Sequence, residues 1–175
     1  LLEVTLDVSD LMIASTGQKT LEFVRFIRPD CPRFFKGDPH RIRQILLNLL
    51  GNAIKFTQSG YVGLIVDVVD SVENIVPEPV AGLTLPDETA WIRFQIIDTG
   101  IGIPLERQAD LFKFFAQADQ SVSRRFGGTG LGLAISRGLA EAMSGCIQLS
   151  SQVGEGTTFS LYLPLQVENQ TPIYQ

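Results

Sequence analysis

Several things are scarce in this sequence of 175 residues, and each scarcity narrows what the chain can do. It has two cysteines, Cys31 and Cys146, with no CxxC spacing. A disulfide between them is conceivable, but two reduced, partly buried thiols in a cytosolic protein are the expectation. No apolar run approaches the ~20 residues of a membrane-spanning helix. The N-terminus shows no basic region followed by a short apolar stretch, so no secretory signal is indicated. A cytoplasmic domain without direct membrane contact is therefore expected, with any membrane anchor lying outside this segment. Lys and Arg number 14 against 19 Asp and Glu, for a net charge of −5, and no stretch gathers the cations into a stripe. That argues against nucleic acid as a partner, because phosphate backbones are held by clustered cations. It does not exclude a local anion site built from backbone N–H groups and two or three cations. Histidine occurs once, at position 40.

What is present is a globular composition, 45% hydrophobic and 19% charged. Residues 1–16 read as a short helix. Thr20–Arg28 alternates as a strand and is ended by Pro29-Asp30-Cys31-Pro32. Asp38 is placed to cap a helix, with Pro39 at the first helical position, where its missing N–H costs nothing. From there Ile42, Ile45, Leu46, Leu49 and Ala53 make one apolar face. The opposite face reads Arg41, Gln44, Asn48, Asn52, Lys55. Tyr61–Val69 and Trp91–Ile97 are strands by β-branched and aromatic content. The stretch near 70–90 between them, with Pro77, Pro79, Gly82 and Pro86, is a loop insertion. A phenylalanine-rich helix is expected over Leu105–Ala118 and another over Leu131–Met143, stopping at Ser144-Gly145. Ile147–Ser151 and Thr157–Pro164 form a closing hairpin. One domain over 1–165 with a tail at 166–175 follows. Its fold class is α/β: a two-layer sandwich, with a mixed, mostly antiparallel sheet and helices on one face.

Three segments carry chemistry. Asn48, Asn52 and Lys55 share a helix face. They offer amide oxygens to a hard cation and an ammonium to phosphate, as magnesium sites bridging substrate phosphates require. By itself such a stripe is also what a solvated helix face looks like. Ile96-Ile97-Asp98-Thr99-Gly100-Ile101-Gly102 delivers a carboxylate at the end of an apolar strand, and the glycines let backbone approach a planar ligand. An ordinary Asp-capped turn has the same look. An aspartic protease would need two such carboxylates, and one Asp-Thr-Gly occurs. Arg124-Arg125-Phe126-Gly127-Gly128-Thr129-Gly130-Leu131-Gly132-Leu133 runs glycines into a helix start, where N–H groups and the helix dipole favour an anion. The spacing is neither GxxxxGK[ST] nor GxGxxG after a first strand, and the VAIK, HRD and DFG set is absent.

Taken in order, these segments resemble the signature boxes of the sensor histidine kinase catalytic domain, in the superfamily that includes gyrase, Hsp90 and MutL. Asn48-Leu-Leu-Gly-Asn52-Ala-Ile-Lys55 is similar to the N box and Asp98-Thr-Gly-Ile-Gly-Ile-Pro104 to the G1 box. Leu111-Phe-Lys-Phe-Phe-Ala-Gln117-Ala-Asp119 resembles the F box, and Gly127–Leu133 the G2 box. Gly154-Glu-Gly-Thr-Thr-Phe159 resembles the final glycine turn, and the run Ser123-Arg-Arg-Phe-Gly-Gly128 is nearest to hybrid-type members. The resemblance implies a Bergerat-type fold binding ATP and Mg²⁺. Asp98 would hold the adenine amino group, with Gly100, Gly102 and Ile103 shaping the base pocket and Thr157 lining it. Asn52 and Asn48 would coordinate Mg²⁺, and Lys55 would contact phosphate. Residues 105–128 would form a lid with Phe115 and Gln117 near its base. Arg124 or Arg125 would reach the triphosphate, and the backbone of Gly128, Thr129, Gly130, Leu131 and Gly132 would cradle it. Phe114 departs from the proline of many members.

The implied reaction is transfer of the γ-phosphate to a histidine on separate dimerisation helices, with a response-regulator receiver domain as the onward partner. His40 lacks the acidic neighbour and Arg-Thr-Pro of an acceptor site, so autophosphorylation of this chain is not expected. In the gyrase and Hsp90 branch a glutamate four residues before the metal-binding asparagine activates water. Here that position is Asn48, which cannot take a proton at neutral pH. A scaffold that has kept the boxes without activity is the non-enzyme alternative.

Overall fold

A computed structural model of the chain describes residues 2–15, 20–72, 84–112 and 131–168. The elements run α1 (Leu2–Ser15), β1 (Thr20–Ile27), β2 (Phe35–Lys36), α2 (Pro39–Phe56), β3 (Ser59–Val69), β4 (Thr89–Asp98), α3 (Leu105–Gln108), α4 (Gly132–Ala142), β5 (Cys146–Gln152) and β6 (Gly156–Val167). The strands form one sheet in the order β1-β3-β4-β6-β2, with β5 pairing the first half of β6. Among the described strands only β1 and β3 run parallel, on either side of the α2 crossover. The expected mixed, mostly antiparallel sheet is the one observed.

The two faces of the sheet differ because side chains alternate along each strand. Val62, Leu64 and Val66 of β3, Ile92, Phe94 and Ile96 of β4, and Leu161 and Leu163 of β6 point the same way and are fully buried or nearly so. They meet Ile42, Ile45, Leu46, Leu49, Leu50, Ala53 and Ile54 of α2, every one buried. Val4 and Val8 of α1 and Ala140 of α4 complete this core. Each fully buried side chain of this size contributes roughly 1.5–3 kcal/mol. The opposite sheet face carries a smaller cluster, Cys146 and Tyr162 with Trp91 beside them, and the Asp67–Arg93 ion pair. Both cysteines are free and buried, and burial pushes each thiol up to about 11. At neutral pH both therefore stay in the thiol form.

Helix α2 begins as its sequence dictates. The Asp38 carboxylate accepts from the N–H groups of His40 (3.0 Å) and Arg41 (3.1 Å), which the helix cannot otherwise satisfy. Other elements depart from their expected bounds. The helix expected over Leu105–Ala118 is one turn, Leu105–Gln108, within the described part of that segment. It stops because the chain tightens, with Asp110 N–H bonding to Arg107 O and Leu111 N–H to Gln108 O. β3 starts at Ser59, two residues before the strand start expected at Tyr61. β6 passes through Pro164 to Val167, beyond the boundary at 165. Pro164 falls between the end of β5 opposite Tyr162 and the start of β2 opposite Gln166, a gap where a residue without an N–H is tolerated. β2 has two residues, too few to show a period. Much of the insertion near 70–90 lies outside the described residues. Among the described helices none is long and apolar enough to cross a membrane.

Candidate functional site

β4 places its last residue, Asp98, on the same face as Phe94 and Ile96, so the strand's alternation carries a carboxylate to the edge of the apolar core. Thr157 is its direct cross-strand partner on β6. Both are nearly buried, at 7% and 6% exposure. Asp98 accepts from the N–H of Gly100 at 2.8 Å and from the N–H of Thr157. Burial raises its carboxyl above the ordinary carboxylate value, and the two N–H groups pull it partly back.

Asp98 and Thr157 close one end of a cavity of about 420 Å³ whose lining is otherwise mostly apolar. Helix α2 contributes Asn52, Ala53 and Phe56, and the turn after β4 contributes Ile101 through Pro104. Leu111, Leu133, Val153 and Phe159 add further apolar wall, and Arg107 a cation. The shape and polarity suit a flat, largely apolar ring with a hydrogen-bond donor at one edge.

This cavity depends on two turns locked together by one backbone–backbone bond and one bond to a serine hydroxyl. Gly154 N–H donates to Ile101 O at 2.9 Å, and Ile103 N–H donates to Ser151 Oγ at 2.8 Å. Gly102 has φ +69°, and a Cβ there would stand 2.0 Å from Gln152 O, so only glycine permits this approach. Gln108 spans the same seam, its Nε2 donating to Ile103 O (2.8 Å) and Ser151 O (3.0 Å).

The stripe on α2 divides as the helix runs. Arg41 and Gln44 are exposed, whereas Asn48, Asn52 and Lys55 are half-buried beneath the elements that follow. Asn52 lines the cavity. Asn48, one turn earlier, faces α4 instead. Its Nδ2 donates to Ser136 Oγ at 2.8 Å, and its Oδ1 lies where a Cβ on Gly132 would stand, 2.2 Å away. The Nζ of Lys55 sits over the Phe56 ring, 5.0 Å from its centroid.

Of the residues expected from sequence, Asn52, Asp98, Gly102, Ile103 and Thr157 are brought together around one cavity. Gly100 adjoins it as a partner of Asp98, Leu131 and Gly132 lie at the start of α4, and Asn48 faces that start from α2. Phe115, Gln117, Arg124, Arg125, Gly128, Thr129 and Gly130 lie outside the described residues, as does Phe114. Sequence reasoning missed Gln108, Ser136 and Ser151. Ser151 and Ser136 did leave a trace, as polar residues at positions where β5 and α4 otherwise turn small or apolar side chains inward. Among the described residues no group of three or more His, Cys, Asp or Glu side chains is arranged to hold a metal. Besides the Asp98 carboxylate, the side-chain amide of Asn52 is a metal-compatible group in the cavity wall, and its oxygen fits Mg²⁺ only as one ligand beside substrate phosphates and water.

Known proteins resemble this chain in sequence and in fold. The sequence model of the family described as "Histidine kinase-, DNA gyrase B-, and HSP90-like ATPase" matches residues 37–167. Signal transduction histidine-protein kinase BarA of Escherichia coli K12 is 42% identical over 164 residues, 93% of this chain and 16% of that protein. Hybrid signal transduction histidine kinase A of Dictyostelium discoideum is 40% identical over 162 residues, 92% of this chain and 7% of that protein. The chain thus spans less than a fifth of these relatives. Among solved structures, full-length ShkA in complex with AMPPNP superposes with a TM-score of 0.75 at 30% identity, covering 95% of this chain and 30% of that one. The catalytic domain of histidine kinase ThkA gives 0.70 at 22% identity, a likeness of fold, over 94% of this chain and 93% of that one.

Proposed function

The chain belongs to the histidine kinase-, DNA gyrase B- and HSP90-like ATPase family, and from that premise we propose that it binds Mg-ATP and donates the γ-phosphate to a histidine on a separate dimerisation domain. The observation that carries this reading is Asp98, a buried carboxylate with two N–H partners at the polar end of an apolar cavity. It accepts from the adenine amino group while Ile103, Leu133 and Phe159 enclose the ring. Asn52 turns an amide oxygen toward the phosphates, and Lys55, the glycine run ending at Gly132 and Arg124 or Arg125 neutralise them. Bound Mg²⁺ supplies charge compensation between phosphates. The relatives' names, signal transduction histidine kinases, support a place in such signalling; a receiver domain as onward acceptor and the cytoplasm as the site of action belong to the proposal.

Hydrolysis of the gyrase and Hsp90 kind is the weaker reading. The position that would activate water is Asn48, and its amide is bonded to Ser136. A turnover above about 1 per second, an ordinary enzymatic rate, would contradict the transfer reading.

Calorimetric titration with ADP and ATP, with and without Mg²⁺, tests the proposal alongside Asp98→Asn. Magnesium-assisted binding that the variant loses is the expected result. No binding at millimolar nucleotide by folded protein would overturn it and favour a scaffold.

A further inference from the structure

Thr157 Oγ1 lies 2.9 Å from Ser151 Oγ, and distance alone does not say which hydroxyl donates. The neighbours decide it. A serine hydroxyl has one proton and two lone pairs. Ile103 N–H donates to Ser151 Oγ at 2.8 Å, which occupies one lone pair. Gly156 O lies 2.9 Å from the same hydroxyl, and a carbonyl only accepts, so the single proton of Ser151 goes there. What remains on Ser151 is one lone pair. The bond to Thr157 is therefore made with Thr157 donating, and the proton of Thr157 is spent. Its oxygen is left with lone pairs only, on a residue that lines the cavity and pairs across the sheet with Asp98.

We infer that Ser151 is a positioning residue that sets the hydrogen-bond polarity of the base pocket, holding Thr157 as an acceptor so that the pocket selects a purine with an exocyclic amino group over one with a carbonyl there. This rests on the adenine-nucleotide reading and names the device that makes the site discriminate. Ser151 never touches the base. It acts through Thr157, and it is itself fixed because Gln108 Nε2 donates to both Ser151 O and Ile103 O. Every hydrogen-bonding position of the Ser151 hydroxyl is filled, so it cannot turn to release Thr157 without breaking a bond to backbone. At 6% exposure, Thr157 has little access to water that would substitute.

The test compares binding of ADP with inosine diphosphate, whose base carries a carbonyl in place of the amino group. Dissociation constants for both are measured on the whole chain with Mg²⁺. The wild-type protein is expected to prefer ADP. In Ser151→Ala the Thr157 hydroxyl is free to rotate and donate to the carbonyl. The ADP preference then falls about tenfold, the worth of one hydrogen bond of the right sense. Ser151→Thr keeps the hydroxyl and keeps the preference. Thr157→Val, isosteric and without a hydroxyl, lowers the preference by a second route. In that background Ser151→Ala changes it no further. An equal loss of both ligands in Ser151→Ala, or an added effect of Ser151→Ala on the ratio in the Thr157→Val background, would overturn the inference. A wild-type protein that binds the two diphosphates alike, or neither, would instead overturn the adenine reading beneath it.

Discussion

Replacing Gly102 by alanine is expected to open the seam between the two turns that build the cavity. The added Cβ would stand 2.0 Å from Gln152 O, 2.6 Å from Gln152 C and 2.9 Å from Val153 Cα, all backbone atoms with no side-chain freedom to yield. Relief to about 3.0 Å, the shortest approach real Cβ atoms show, requires the turns to part by about 1 Å. That separation loses the Gly154 N–H to Ile101 O and Ile103 N–H to Ser151 Oγ bonds, at about 1 kcal/mol each. Holding alanine at φ +69° adds about 1 kcal/mol. The expected total is about 3 kcal/mol, which a domain with ordinary stability survives. Gly154 provides the control. It too has positive φ, at +82°, but a Cβ there meets nothing within 4 Å, so Gly154→Ala should cost only the backbone strain of about 1 kcal/mol. Urea unfolding of the two variants, with unchanged m-values, measures the difference directly. Adenine nucleotide affinity should fall tenfold or more in Gly102→Ala and stay near wild type in Gly154→Ala, since only the first moves Ile103 and Ser151 apart. Equal stability losses, or wild-type affinity in Gly102→Ala, would refute the reasoning.

Asp98→Asn should stabilise the fold while abolishing nucleotide binding. Burial raises the folded-state carboxyl above its ordinary value, so the ionised form weakens the folded state at neutral pH and ceases to do so as pH falls through that raised value. The variant's advantage in urea unfolding is therefore largest near pH 7 and shrinks toward pH 4. Asn48→Ala removes the donor to the buried Ser136 hydroxyl and should cost about 1–2 kcal/mol, measured the same way. Asp38→Ala removes the cap from two N–H groups of α2 and should cost about 1 kcal/mol, checked by the shift in thermal midpoint.

Legibility of this fold in its sequence followed local physics. Helix α2 was readable because its start signal, Asp38-Pro39, and its apolar spacing agree with each other, and all five expected core residues are buried. The place of Asp98 was readable too, since an alternating strand ending in a carboxylate must leave that carboxylate at the rim of whichever face is buried. What stayed hidden was set by partners distant in sequence. The parallel pairing of β1 with β3 leaves no mark on the periodicity of either strand. Of the helix expected over Leu105–Ala118, the residues past Phe112 lie outside the described ones. Phe112 itself packs edge-on against Phe159 at 6.2 Å between ring centres, a sheet contact that the helical pattern does not encode. Ser136 and Ser151 look like small polar residues until Asn48 and Ile103 are brought against them.

The same contacts bear on why such a site would hold a nucleotide without hydrolysing it. Activating water requires a proton acceptor near the phosphates, and the only ionisable side chains lining the cavity among the described residues are Asp98 and Arg107. Arginine stays protonated. Asp98 stands at the polar end beside Thr157, with its carboxylate committed to the N–H groups of Gly100 and Thr157. Asn52, on α2, offers an amide, and one turn earlier Asn48 has its nitrogen bonded to Ser136 and its oxygen against Gly132. Among the described residues, the amides of Asn52 and Asn48 could orient a water molecule but take no proton from it at neutral pH. On the proposed reading, that leaves the γ-phosphate for a nucleophile brought from another domain, and it makes the Asn48–Ser136 contact a joint between α2 and the helix that follows the glycine run. The base end of the site is then fixed by sheet register and the phosphate end by how two helices meet. Nucleotide binding could thus persist in a protein whose α2–α4 contact has loosened, while transfer would not.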